Sequence, residues 1–340
     1  MSRYAEAHAD PQGAGDARPT ALQIVEDENL VGKLGGKTAF VTGANQGIGI
    51  ETARALHATG ATVFLGTRDV AKGQQAVEDI RASDPSNDAP LHVVQIALDS
   101  LGSVREAATA LLAQTSTLNL LILNAGVMCT PEGRTVDGFE TQFGTNHAGH
   151  FLLFQLLKPA LLAAATPSFG SRVISLSSIG HRAGGVRFDD FNFDKVGSYD
   201  PWLAYGQSKT ANIYLANEIE RRYGAAHLHA LSVHPGFILT NLGRYMDPAV
   251  MAEGTKDPET LKKLKNKTQG AATTVYAALS AEWEGRGGRF LSDCAEALAV
   301  QPGVNYLSPD PGYAPWAYDQ DKAAKLWVES NKLVGLESDA

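Results

Sequence analysis

The sequence predicts an α/β fold, a single doubly wound parallel sheet with helices on both faces. Apolar runs of strand length alternate with amphipathic segments of helix length from residue 37 to residue 234. Those runs are almost continuously apolar, which marks strands buried on both sides. No low-complexity linker and no internal repeat interrupts residues 34 to 300, so residues 20–340 are expected to form one domain. Parallel strands joined by helices need right-handed crossovers, and a doubly wound sheet satisfies that requirement.

The elements follow in order. K-T-A-F-V-T (37–42) is the first strand, G-I-G-I-E-T-A-R-A-L-H-A-T-G (47–60) a helix closed by glycine, and A-T-V-F-L-G-T-R (61–68) the second strand. A helix over 70–82 leads to L-H-V-V-Q-I (91–96), and a helix over 100–114 to L-N-L-L-I-L-N (118–124). One long helix is expected over 137–165, before S-R-V-I-S-L-S (171–177). A helix over 202–223 precedes L-H-A-L-S-V-H (228–234). Residues 1–19, rich in Ala, Gly, Pro and Asp, predict a disordered tail, and 21–30 have weak helical periodicity. The aromatic-rich stretch 183–203 and the segment 237–268 are long connections at strand carboxyl ends, where open α/β sheets bind ligands. Residues 299–340 form a C-terminal extension.

Of the 340 residues 44% are apolar and 19% charged, as suits a soluble chain with a sizeable core. A net charge of −8 argues against a nucleic-acid partner. The two cysteines, Cys129 and Cys294, cannot build a disulfide framework and indicate a reducing, cytoplasmic setting. The most apolar window, 151–165, is too short for a membrane span and is broken by Gln155, Lys158 and Pro159. His181 and His234 have no Cys or carboxylate at ligand spacing, so no metal site is expected.

T-G-A-N-Q-G-I-G (42–49) lies between the first strand and the first helix. Gly43 permits a tight turn, Gly47 lets backbone approach a pyrophosphate, and Gly49 packs helix against strand, with Asn45, Gln46 and Ile48 filling the cradle. No Lys-Ser/Thr pair follows, which disfavours a nucleotide-hydrolysing loop. The second strand ends in G-T-R-D, where Arg68 can pair with a 2′-phosphate that a carboxylate would repel. Lys72 adds positive charge one turn later. NADP is therefore expected over NAD.

The chain resembles the short-chain dehydrogenase/reductase family, with the Gly43, Gly47, Gly49 spacing unlike that of its extended epimerase and dehydratase branch. Asp99, N-A-G at 124–126, Asn146 in T-N-H-A-G, Ser177-Ser178, Tyr205 with Lys209, and P-G-F-I-L-T from 235 to 240 follow in family order. G-T-R-D, S-S-I-G-H-R and H-P-G look closest to the retinol-dehydrogenase and WW-domain-oxidoreductase-like group, and the C-terminal G-Y-A-P-W-A-Y-D-Q-D-K looks like that of its fungal members. The resemblance implies a Rossmann-type sheet with Tyr205 as general acid/base and Lys209 as its activator, both also contacting the cofactor, Lys209 at the ribose hydroxyls. Ser178 would hold the substrate carbonyl and Asn146 would join a proton relay. Asp99 would meet the adenine, Asn124, Ala125 and Gly126 the adenosine ribose, and Pro235, Gly236, Ile238 and Thr240 the nicotinamide end. By analogy with much of the family, the 137–165 and Tyr205 helices would meet a second subunit in a homodimer or homotetramer.

A free phenol has a pKa of about 10, so a base at neutral pH needs help from cations. Tyr205 and Lys209, four apart on a helix, share a face, which lets the ammonium serve. These residues imply an oxidoreductase acting on a small-molecule carbonyl or alcohol. Trp202, Phe188, Phe191, Phe193, Tyr245, Met246, Met251 and Trp316 suggest a bulky, apolar substrate, although each is equally suited to the core. Two other readings stay open: a dinucleotide-binding regulator without catalysis, and a reductase working inside a multienzyme complex.

Overall fold

The computed structural model describes residues 2–246, 256–301, 303–306 and 308–337. Strands β1 (Thr38–Thr42), β2 (Thr62–Thr67), β3 (Leu91–Gln95), β4 (Leu120–Leu123), β5 (Ser171–Leu176) and β6 (Leu228–His234) coincide with the six apolar runs. β7 (Phe237–Ile238) and β8 (Leu264–Lys265) pair with each other, and β9 (Arg289–Ser292) and β10 (Ala295–Glu296) extend the main sheet. Its order is β10-β9-β6-β5-β4-β1-β2-β3. All pairs run parallel except β10 on β9. The chain starts at β1, winds outward to β3, then crosses to β4 on the far side, so a crevice opens between the carboxyl ends of β1 and β4.

Alternate strand residues feed two cores. Ala39 and Val41 of β1, with Leu120 and Ile122 of β4, join one apolar cluster; Phe40, Leu121 and Leu123 join the other. The first cluster is covered by helices α2 (Ala21–Asp27), α3 (Gly47–Ala58) and α4 (Val70–Ser83), preceded by the short α1 (Ala5–Ala9), and by the helix Ala272–Leu279. The second is covered by α5 (Leu101–Leu112), α7 (Gly149–Ala164) and α8 (Pro201–Tyr223). Two buried faces explain the unbroken apolar runs.

The structure corrects two expectations and adds elements that the sequence reading lacked. No helix begins at 137: Glu140 caps α6 (Thr141–Phe143) by accepting from the amides of Gln142 and Phe143, and a π turn over Gly144–Ala148 separates it from α7. The β9–β10 pair went unpredicted because R-F-L-S is only one short run after three glycines. The N-terminal tail is not disordered. Tyr4 is buried with its ring edge on Tyr276 and its hydroxyl donating to Asp27, which composition alone could not show. Finally, the outer faces of α7 and α8 are covered by the chain's own C-terminal helix, Gln320–Leu333. Its Trp327 lies edge-on to Phe151 and Phe154, Leu326 and Ala323 join the cluster around Tyr214, and Ser330 pairs with His147.

Candidate active site

The turn after β1 is built as a cradle. Gly43 and Gly47 have φ of +67° and +62°, which side chains disfavour. At Gly49 a Cβ would sit 2.2 Å from the Gly43 carbonyl oxygen and 2.6 Å from Asn124 Nδ2, so only glycine lets α3 begin there. Gln46, the N-cap, is extended and makes no side-chain cap hydrogen bond, leaving the first amides of α3 for an anion. Asn45 and Ile48 are half-buried in this turn, and the exposed Gln46 accepts from Asn241 Nδ2 at 2.9 Å. Across the crevice, Asn124 Nδ2 donates to the Thr42 carbonyl (2.8 Å), while its buried Oδ1 has no partner. These features fit the diphosphate and ribose of a dinucleotide.

At the end of β2, Asp69 caps α4 by accepting from the Lys72 amide, and its carboxylate lies 3.5 Å from Lys72 Nζ. Asp69 and Lys72 thus pair with each other at the surface, and Arg68 is exposed at the strand end. Half-buried Asp99 follows β3, its carbonyl accepting from the Val136 amide.

The catalytic candidates converge beside the cradle. β5 ends so that Ser177 turns inward, donating to the Lys209 carbonyl (2.8 Å), while half-buried Ser178 faces the crevice and accepts from the Gly180 amide (3.0 Å). Gly180 is pressed between the two key groups: a Cβ there would lie 2.6 Å from the Tyr205 ring and 3.3 Å from Ser178 Oγ. α8, capped by Asp200 and led by Pro201, aims Tyr205 and Lys209 into this space. Lys209 Nζ is 5.6 Å from the Tyr205 ring centroid and donates to the Leu176 carbonyl at 3.0 Å. Asn146 sits in the π turn, where Oδ1 accepts from the Val127 amide (2.8 Å) and Nδ2 donates to the Val127 carbonyl and to Ser208. It bonds across to the β4 loop, not to its own helix. Gly126 closes the ring, since a Cβ on it would be 3.1 Å from Asn146 Oδ1 and 3.4 Å from Lys209 Nζ.

The electrostatics differ from the sequence expectation. Burial pushes the Tyr205 phenol well above its ordinary value, with the Ser178 hydroxyl acting in the opposite direction. Burial likewise lowers the Lys209 ammonium to about 8. At neutral pH the protein alone therefore holds a neutral phenol beside a cationic lysine.

The Pro235–Thr240 segment leaves β6 and returns to the cradle. Gly236 (φ +105°) lets the Lys265 stem lie across it, Ile238 pairs with Lys265, and Thr240 Cγ2 would be 3.9 Å from a Gly47 Cβ. The aromatic residues divide. Trp202 lies edge-on to Tyr205 (6.2 Å) and near Tyr306, walling the site, and Trp316 Nε1 donates to Thr210 of α8. Phe188 and Phe191 instead pack under the C-terminal helix, and Phe193 lies edge-on to Tyr199, so these are core. Tyr245 and Met246 lie on the segment after Thr240, and Met251 falls outside the described residues.

Sequence reasoning missed two participants. His150 is fully buried and held near pKa 3 by that burial. Its Nδ1 lies 3.0 Å from the Asn146 carbonyl oxygen, which requires the proton there; Nε2 then accepts from Thr42 Oγ1 at 2.9 Å. Thr42 Oγ1 in turn accepts from the Asn124 and Ala125 amides (2.9 and 3.0 Å). The spacing Asn146 to His150, one helical turn, was the available signal. Among the described residues no group of three or more His, Cys, Asp or Glu could hold a metal, and no helix is long and apolar enough to cross a membrane.

The family model described as short chain dehydrogenase matches residues 37–250. The short-chain dehydrogenase/reductase prx1 of Penicillium roqueforti is 45% identical over 334 residues, covering 98% of this chain and 95% of its own. Human retinol dehydrogenase 14 is 36% identical over 316 residues, covering 90% of this chain and 88% of its own. Among solved structures, an NADPH-bound carbonyl reductase from chicken fatty liver matches with a TM-score of 0.57 and 26% identity, covering 78% of this chain and all of that one.

Proposed function

Because the chain belongs to the short-chain dehydrogenase family, we propose that it is an NADP(H)-dependent enzyme interconverting a ketone or aldehyde and an alcohol on a bulky, largely apolar substrate. The observation that carries this reading is the meeting of Ser178, Tyr205 and Lys209 beside the glycine cradle, with Asn146 against Lys209 through Gly126. The glycine cradle and Asn124 would hold NADP(H), which when bound would supply the hydride and, once oxidised, a positive charge. The protein supplies position and protons. The Ser178 hydroxyl donates to the substrate oxygen, stabilising the negative charge that grows there. The neutral Tyr205 phenol then gives that oxygen its proton, and the Lys209 ammonium stabilises the phenolate left behind. A phenol that starts protonated sets the free protein for reduction. Trp202 and Tyr306 give the substrate an aromatic wall. Free, buried Cys129 and Cys294 suit a reducing cytoplasm.

Arg68 supports the choice of NADP, since Asp69 and Lys72 pair with each other and leave the guanidinium exposed at the end of β2. Steady-state consumption of NADPH and NADH against a panel of bulky ketones and aldehydes tests the reading. NADPH is expected to be preferred, and Arg68→Asp is expected to cut the ratio of kcat/KM values for the two cofactors by at least about tenfold, equivalent to about 1.4 kcal/mol. An unchanged ratio in that variant removes Arg68 as the discriminator. Turnover with neither cofactor on any member of the panel would favour a dinucleotide-binding regulator.

A further inference from the structure

We propose that Arg18 is a positioning residue for the dinucleotide site, acting through a strap formed by the N-terminal segment. This rests on the cofactor reading above and concerns a part of the chain outside the 37–250 family match.

The guanidinium of Arg18 is almost fully buried and makes three of its five hydrogen bonds to the backbone carbonyls of residues 262–264. Nη1 donates to the Lys263 carbonyl (3.0 Å), and Nη2 to the carbonyls of Gly13 (3.0 Å), Lys262 (3.3 Å) and Leu264 (2.5 Å). Nε pairs with Asp16 at 2.8 Å; burial pushes that carboxyl up, but this contact and nearby backbone amides hold it down at about 2. The strap is fastened at two further points. The Gly13 amide donates to the Lys262 carbonyl, and the Gln269 side chain accepts from the Gly15 amide while donating to the Asp16 and Arg18 carbonyls.

What the strap holds is the back of the cofactor site. Leu264 and Lys265 form β8, which pairs in parallel with Phe237 and Ile238 of β7. Lys265, fixed by a 2.6 Å ion pair to Asp293, lies across Gly236. Gly270 is so close to this layer that a Cβ would sit 2.7 Å from Ile238 Cγ1 and 2.9 Å from Ile48 Cγ2. A shift of residues 262–265 would therefore move Ile238 and Thr240 relative to Gly47 and Ile48 of the glycine cradle. Arg18 touches no reacting atom; it sets the spacing of the walls. Five hydrogen bonds from one planar fork make that spacing rigid.

The test uses the full chain and NADPH titrated by quenching of intrinsic tryptophan fluorescence, with circular dichroism as the check on folding. Arg18→Gln is expected to raise the NADPH dissociation constant at least about tenfold while kcat at saturating cofactor changes less than about threefold; Arg18→Lys, which keeps the charge but not the fork, is expected to fall between. An Arg18 that served stability alone would lower the Tm and the folded fraction but leave the dissociation constant of the folded fraction where it was, and that result overturns the proposal. Should Arg18→Gln not fold, Gln269→Met decides: it releases the other end of the strap and is expected to weaken NADPH binding about threefold or more, whereas unchanged affinity overturns the strap. A wild-type protein with no affinity for NADPH or NADH would overturn the cofactor reading and this role with it. Normal wild-type binding with unaltered variants sinks the strap alone.

Discussion

Tyr205→Phe is expected to bind NADPH with wild-type affinity and to lose about 10²–10⁴-fold in kcat, the range by which a positioned acid or base accelerates proton transfer. The substitution removes one hydroxyl and leaves the ring that touches Trp202 and fills the space above Gly180. Affinity should therefore hold while chemistry fails, and the two are separated by measuring the dissociation constant and single-turnover hydride transfer on the same preparation. The remaining rate reflects the Ser178 hydroxyl and the orientation of the reactants, which Phe does not disturb. A variant with near-normal kcat would move the proton donor elsewhere. A variant that also loses NADPH affinity would show the hydroxyl to be part of the cofactor site.

The second large effect concerns acid. His147, His150 and His234 are held near pKa 3 and His181 near 4, in each case chiefly by burial. The unfolded chain binds these protons with a pKa of about 6.5, so between about pH 6.5 and 3–4 unfolding takes up protons and stability rises with pH. That stability is fully present above about pH 6.5 and is lost as the pH falls. At pH 5 each fully buried imidazole costs about 2 kcal/mol relative to neutral pH, several times what a single surface pair contributes. Thermal unfolding followed between pH 7.5 and 5 should show a steeply falling Tm, with proton uptake on unfolding approaching about four from these groups. His147→Phe, which replaces an imidazole packed between Phe143 and Phe151, should lower that uptake by about one proton. A flat Tm over this range would mean that the four rings are already charged or open to water in the native state.

Much of the architecture is legible in the sequence because it follows from periodicity. Phe40 between Ala39 and Val41 must face the opposite core from its neighbours, and a strand apolar at every position requires covers on both sides. The cradle is legible for a similarly local reason: Gly43 and Gly47 need positive φ and Gly49 cannot carry a Cβ. What stayed hidden depends on contacts distant along the chain. Whether a polar segment at a terminus folds is decided by what it meets, and here Gly13 and Arg18 find carbonyls at 262–264 that composition does not reveal. The π turn inside the expected 137–165 helix carries Asn146, whose side chain reaches across to Val127. His150 directly precedes the apolar window 151–165, yet its ring joins the Asn146 turn to Thr42. The aromatic loop shows the same limit, since Phe188 and Trp202 have similar surroundings in sequence but only Trp202 meets Tyr205.

The protonation of Tyr205 is the physical centre of the account. Burial raises the phenol in the protein alone, and the reading requires that Lys209 and the oxidised nicotinamide bring it down. An ultraviolet difference titration of tyrosinate, run on the complex with NADP⁺ for wild type and for Tyr205→Phe, measures this directly. The account predicts one tyrosinate that forms below about pH 9 in the wild-type complex and is missing from the variant, a depression of at least about one unit from the free phenol. Identical titrations in the two proteins, with every phenol ionising at or above its ordinary pH, would contradict it.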